Sequence, residues 1–297
     1  MNMKIKRENN IIQVNDNFKK MWYYFSRKPL NKIGLLIFIM VVFTAIFAPY
    51  IVPYPESAGD YYDFSKISRP PSSEHWFGTD RMGRDIFSRI FFGYRVSLYL
   101  GCIVLLIAVP IGVSLGLIAG YFSDTWIDVL IMRFVDVVIG LPAMLTAMAV
   151  CSVLTPNITN AIFAVSLVWW TIYARMVYSK TRSIRHEFYV LSAEVIGASK
   201  VDILFREILP NCIPEIITKA TLDMGWVILL GSTLSFVGLG AQPPTPDLGT
   251  MIAEGSNFIP GQWWLFIFPS VAIVILILGF NLLGDGLGDI LTGDEGK

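Results

Sequence analysis

Charge is scarce in this chain. Only 15% of its 297 residues are Asp, Glu, Lys or Arg, against roughly 25% in soluble domains, while 54% are hydrophobic and the mean hydropathy is +0.59. That composition excludes an ordinary water-soluble globule and reads as an all-α integral membrane protein. The two signs balance at 23 each, so no net basic surface for nucleic acid is available. Cysteine is equally sparse: Cys102, Cys151 and Cys212 are odd in number and scattered in or beside apolar stretches. They are read as packing residues, which excludes a disulfide framework and a metal site. His75 and His186 are the only histidines, and His186-Glu187-Phe188 is not part of a His-Glu-x-x-His zinc site. No Gly-x-x-x-x-Gly-Lys-Ser/Thr loop occurs, so the chain has no P-loop with which to cradle nucleotide phosphates. A nucleophile, base and orienter set is also missing, and no enzyme active site is expected.

What the chain has instead is long charge-free windows, at 33–52, 96–122, 137–174, 224–246 and 255–284. Each reaches the roughly 20 residues a spanning helix needs. The third is long enough for two spans and is punctuated by Thr155-Pro156-Asn157, a turn signal. The expectation is therefore about six transmembrane helices. The first apolar run exceeds the roughly 7 to 15 residues of a cleavable signal peptide and is read as a retained anchor.

Lys and Arg set the orientation. With the N-terminus inside, 17 of the 23 fall on the cytoplasmic side, including Lys4, Lys6, Arg7, Lys19, Lys20, Arg27, Lys28, Lys32, Arg133 and Lys297. The other six lie in the loop after the first span. The positive-inside rule then gives a cytoplasmic segment 1–32, a first span 33–52, an extracytoplasmic loop 53–95 ending in an interfacial helix, a transmembrane domain 96–290 and a cytoplasmic tail 291–297.

Between the fourth and fifth spans the chain carries a patterned cytoplasmic segment. Ile184, Phe188, Leu191 and Val195 recur at helical spacing. Gly197 permits a sharp turn. Ser199 and Asp202 form a helix start signal, followed by the stripe Val201, Leu204, Phe205 and Ile208, with Asp202 and Arg206 placed to pair. Pro210 is expected to end this second helix. On pattern alone, two short amphipathic helices hinged at Gly197 suit either the lipid headgroups or a groove on a cytosolic partner.

The run 189–211 resembles the coupling loop of ABC importer permeases, in which two short helices flank a central Gly and end in Leu-Pro. Gly197-Ala198-Ser199, Ile208-Leu209-Pro210 and Asn211 match that pattern. The run from His75 to Arg89, with Gly78, Asp80, Gly83, Arg84 and Asp85, is similar to the segment before the second span in the peptide and nickel branch. GLIAGYFSDTWIDVLIMRFVDVVIGLP (116–142) and TLSFVGLGAQPPTPDLGTMI (233–252) are similar to further signatures of that branch. The resemblance covers nearly everything from His75 onward.

It implies a type I ABC importer permease fold with a coupling-helix pair at 185–211, in a bacterial or archaeal plasma membrane. It also implies partners: a second homologous permease subunit, two ABC ATPases that bind ATP and Mg, and an extracytoplasmic substrate-binding protein. This chain would then carry no cofactor of its own. The ATPase contact would run through Leu191, Ser192, Ala193, Glu194, Gly197, Ala198, Ser199, Asp202, Phe205 and Pro210. Leu191 stands where the family pattern has Glu, and Glu194, nearly one turn on, is expected to take over the polar contact.

Other residues carry two readings. Arg81, Arg84, Arg89 and Arg95 either snorkel to water from an interfacial helix or help form a face for the binding protein. Gly112, Gly116 and Gly120 suit close helix packing, within the subunit or against a sister permease. Arg133 and Asp136 are spaced to pair. Asp223 and Asp285 are ionisable at the edges of apolar windows, and Asp223, Trp226, Ser232 and Ser235 are the substrate-path candidates. Trp169, Trp170 and Trp226 either line a passage or are ordinary at the membrane interface, the second reading being preferred.

The leading expectation is a permease subunit forming half of a translocation path for peptides, with nickel or a metal chelate as the alternative. No His, Cys or carboxylate cluster favours a bare metal ion. A secondary transporter would call for internal repeats, and no convincing one is found.

Overall fold

The computed structural model describes residues 22–291. The expected segment 1–32 lies outside them up to residue 21, as does the tail after residue 291. Among the described residues every regular element is helical, apart from one isolated bridge between Thr79 and Asp85. The long helices are α1 (Pro29–Ile51), α2 (Ile86–Tyr121), α3 (Trp126–Ile139), α4 (Ala143–Val153) and α5 (Ile158–Ile184). Then come α6 (Phe188–Val195), a helical turn Lys200–Asp202 with a π turn Ile203–Ile208, α7 (Leu209–Phe236), α8 (Leu248–Ser256) and α9 (Trp264–Leu291).

Among the described residues four helices, α1, α2, α5 and α9, are long and apolar enough to cross a membrane, and α3 with α4, bent by 87°, passes the same test as a pair, the geometry of a broken span or a re-entrant loop. The remaining expected span corresponds to α7. At about 42 Å it is long enough, but it carries Glu215, Lys219 and Asp223. Side-chain caps start several helices: Asp85 accepts from Ser88 N, Asn157 from Asn160 N and Asp247 from Thr250 N.

Four sequence expectations are corrected. The interfacial helix at the end of the 53–95 loop is not separate: α2 begins at Ile86 and runs through the expected start of the second span without a break. Arg89 is buried in the folded loop beneath that end and does not stop at a membrane surface. The third window is interrupted twice, at the expected turn near Pro156 and again at Gly140-Leu141-Pro142, where α3 and α4 kink. Asp136 pairs with Arg175 of α5, not with Arg133.

The glycine stripe of α2 faces α5 of the same chain. A Cβ at Gly116 would stand 2.6 Å from the carbonyl oxygen of Ala174, and one at Gly120 2.6 Å from Thr181 Cβ. Backbones at that separation leave no room for a side chain. Around this pair the core is filled from α2, α4, α5 and α7, by Val104, Ala164, Tyr173 and Val227 among others. A second cluster joins α1, the start of α2, α8 and α9 through Val41, Ile86, Leu248 and Leu276. The third sits at the end of the bundle that carries α6.

Candidate functional site

The segment between α5 and α7 is built on that third cluster. Val190 of α6 and Ile203, Leu204 and Ile208 of the π turn are buried with Val113, Leu117 and Tyr121 of α2, Val177 and Ile184 of α5, and Cys212 and Ile216 of α7. One small element is thus packed onto the ends of three long helices. Gly197 makes the turn at φ +85°, with open space where a Cβ would be, so its role is conformational. Ser199 Oγ donates to Asp202 Oδ2 at 2.6 Å and accepts from Asp202 N, and Arg206 Nε lies 3.4 Å from Asp202 Oδ1.

Pro210 does not end the second helix, contrary to the expectation. The helical path runs from Lys200 through the π turn into α7, where Pro210 occupies the first turn. Pro210 has no N–H to offer the preceding turn, and it falls where the π turn passes into α7. The wider i→i+5 bond from Leu209 N to Leu204 O shifts the register just before the ring. The segment is therefore continuous with α7.

The two apolar stripes are also distributed differently from their periodicity. Leu204 and Ile208 are buried, but Phe188 is 87% exposed, Val195 86% and Ile196 83%, and Leu191, Val201 and Phe205 are exposed with them. The inward face is instead the set Val190, Ile203, Leu204 and Ile208.

Glu194, expected to replace the family's acidic contact, is engaged within the chain: Tyr121 Oη donates to its Oε1 at 3.0 Å. Ser192 Oγ is turned back to Phe188 O. Further ties escaped the sequence reading because they join distant residues. Asn211 Nδ2 donates to Tyr189 Oη at 3.2 Å, Lys180 Nζ meets Glu215 Oε1 at 2.5 Å, and Arg185 lies over the Tyr121 ring at 5.2 Å.

The opposite end is closed by the 53–85 loop, where the expected signature residues form a knot. Asp80 Oδ1 accepts from Met82 N and Arg84 N, and its Oδ2 from Arg84 Nε at 2.7 Å. Asp85 caps α2 and holds His75 Nδ1 at 2.9 Å. Gly78 and Gly83 both take φ +77°, and a Cβ at Gly78 would fall 2.6 Å from Arg69 O. Lys66 holds the exposed Glu74 carboxyl below its ordinary range through a hydrogen bond.

Of the path candidates, three are inside the subunit. Asp223 is 1% exposed, paired with Lys219 Nζ at 2.7 Å and accepting from Trp169 Nε1 at 3.1 Å. Ser235 Oγ accepts from Ala241 N. Ser232 is mostly buried but borders an open cleft of about 350 Å³ with Leu229, Thr233 and Phe236. Trp226 alone is open, at 58%. Asp285 is exposed near the other end of the bundle. Among the described residues no group of His, Cys, Asp and Glu is arranged to hold a metal ion.

Residues 112–293, which include the anchored segment and most of the bundle, match the family described as binding-protein-dependent transport system inner membrane component. The chain belongs to that family. Residues 17–71 of the permease match the N-terminal transmembrane domain of oligopeptide transport permease C. The permease is 40% identical to a dipeptide transport system permease protein of Alkalihalophilus pseudofirmus, over 92% of this chain and 89% of the relative. It is 36% identical to a probable D,D-dipeptide transport system permease protein of Escherichia coli K12, over 96% and 94%. A glutathione transport system permease protein of Escherichia coli O6:K15:H31 is 41% identical, over 94% and 91%. The permease is thus a multi-pass membrane subunit of an ABC importer, in which ATP is hydrolysed by separate subunits and a substrate-binding protein serves the system.

Proposed function

We propose that this permease forms half of a translocation path for short peptides, with its N-terminus in the cytoplasm and 185–211 as the docking element for two ATPases. The observation that carries the docking assignment is the exposed apolar set Phe188, Leu191, Val195, Ile196, Val201 and Phe205 on a segment packed into three long helices. Several large apolar side chains left open on a rigid, capped element suit a hydrophobic groove on a partner. Leu191 fits this reading: the place of the family's carboxylate is taken by an apolar contact, while Glu194 serves as a strut to α2.

Movement of the ATPases is then transmitted along fixed connections. The π turn continues into α7, α6 follows directly from α5, and the Tyr121–Glu194 bond reaches α2. Displacing the segment tilts these helices together, as a lever. The open face of α7 at Trp226, Leu229 and Phe236 is assigned to the path or to the second permease subunit. Asp223, Ser232 and Ser235 support that helix from within.

Peptide as the cargo follows from the names of the relatives. Uptake by the reconstituted complex tests it. A radiolabelled dipeptide is expected to accumulate only with ATP and the binding protein, and accumulation of nickel with exclusion of peptides would overturn the assignment.

A further inference from the structure

The knotted loop closes over a cavity of about 280 Å³ that plays no part in coupling. Arg84 and Arg89 line it from the loop and the start of α2, and each is only 2% exposed. Taking a guanidinium out of water is costly unless it is neutralised and hydrogen-bonded. The acceptors supplied by the chain are few. Asp80 Oδ2 takes Arg84 Nε at 2.7 Å and lies 3.6 Å from Arg89 Nε, and Ser57 O takes Arg89 Nη1 at 3.2 Å. Each guanidinium has five N–H donors, and these bonds engage one donor of each, with both residues lining the cavity.

A third cation stands at the rim, where Arg81 lies over the Phe258 ring at 4.5 Å. Against these three charges the lining holds two carboxyls, Asp80 and Glu254, Asp80 being the one bonded to Arg84, so one net positive charge remains. The remaining wall is apolar, from Met251, Phe258 and Leu265. The lining therefore combines an uncompensated positive charge, converging forked donors and a greasy wall, in a space near the lower end of the roughly 300–1,000 Å³ usual for ligand pockets.

We propose that this cavity is a carboxylate-binding site, in which Arg84 and Arg89 hold the two oxygens and the apolar wall holds the side chain beside them. Forked guanidinium donors match a carboxylate in geometry and charge. The carboxylate comes from the C-terminus of a short peptide or from an acidic side chain of the docked binding protein. Its position on the external side rests on the importer reading, but its chemistry does not.

The test uses the whole complex in lipid nanodiscs. In the first arm, equilibrium binding of radiolabelled Ala-Phe is measured without the binding protein, with Ala-Phe amide as the competitor that lacks the charge. In the second, association of the binding protein with the complex is measured. Two variants serve both arms: Arg84→Gln, and Asn257→Trp, at an exposed residue of the cavity's lining, which obstructs the rim without removing an arginine. Unaltered co-purification of the ATPases and unaltered basal hydrolysis show that Asn257→Trp is intact.

If the peptide is the source, Ala-Phe binds saturably, while the amide and both variants are weaker by about tenfold, or 1.4 kcal/mol. If the binding protein is the source, Ala-Phe does not bind and both variants weaken association by about the same factor. Ala-Phe binding absent from the wild type, together with unchanged association of the Asn257→Trp complex, overturns the proposal. An importer for some other solute would fail the uptake assay yet leave the second arm readable.

Discussion

The hydroxyl of Tyr121, the last residue of α2, donates to Glu194 Oε1 at 3.0 Å. A 36-residue helix is thereby joined to the element proposed to meet the ATPases, through a pair separated by 73 positions in the chain.

This bond separates coupling from docking. Tyr121→Phe removes one hydrogen bond to a charged acceptor, worth about 1.5–3 kcal/mol when well shielded and less here because Glu194 is exposed. ATPase subunits are expected to co-purify normally while peptide taken up per ATP hydrolysed falls several-fold. Glu194→Gln keeps an acceptor and is expected to stay near wild type. The ratio of uptake to hydrolysis in proteoliposomes distinguishes the two.

The glycine stripe sets a steric limit. Gly116→Leu forces a side chain against the Ala174 carbonyl, and overpacking of this kind costs about 1–3 kcal/mol or separates the helices. Thermal unfolding in detergent should show a lowered Tm. Gly197→Ala meets no atoms and carries only the left-handed backbone penalty, on the order of 1 kcal/mol.

Much of this was legible in the sequence, for reasons that differ by element. Long apolar runs mark α1, α5 and α9 because lipid demands them, and the spacing of Gly112, Gly116 and Gly120 marks a close helix contact. Periodicity identified the helices of the coupling segment but not their orientation. Val190 faces in and Phe188 faces out, since the buried side is chosen by the cluster that Val190 shares with Val177 and Leu117 of other helices. Pro210 was misread for a related reason: a π turn that absorbs the ring leaves no local signature. Arg81 and Arg95 are exposed as their sequence suggests, whereas the burial of Arg84 and Arg89 is not legible there because their partners Asp80 and Ser57 come together only in the folded loop.

The Asp223–Lys219 pair tests the cost of charge inside the bundle. Lys219→Met leaves Asp223, 1% exposed, without its cation, and breaking a buried pair costs about 3–5 kcal/mol. Lys219 is itself partly exposed, which places the expectation at or below the lower end. Lys219→Met with Asp223→Asn should recover most of the loss. Denaturation midpoints of the two variants give the comparison, and equal losses in both would show that the pair itself contributes little.

Asp247 gives a pH signature. Burial pushes its carboxyl above the ordinary 3.8, against opposing hydrogen bonds led by Thr250 N. A raised folded pKa means that the stability contribution is complete below 3.8 and is lost as pH rises through the folded value. Asp247→Asn retains the cap on α8 and removes the buried charge. Its Tm should exceed that of the wild type at neutral pH, with the difference vanishing as the pH approaches the ordinary carboxyl value.

The most direct measurement concerns the exposed apolar set. Phe188→Asp with Phe205→Asp, both at open positions, is purified in mild detergent from native membranes, and each partner is quantified by mass spectrometry. The account predicts that ATPase subunits fall by about tenfold or more, while the second permease subunit stays bound and ATP-driven uptake is lost. ATPases retained at wild-type stoichiometry, with uptake undiminished, would contradict it.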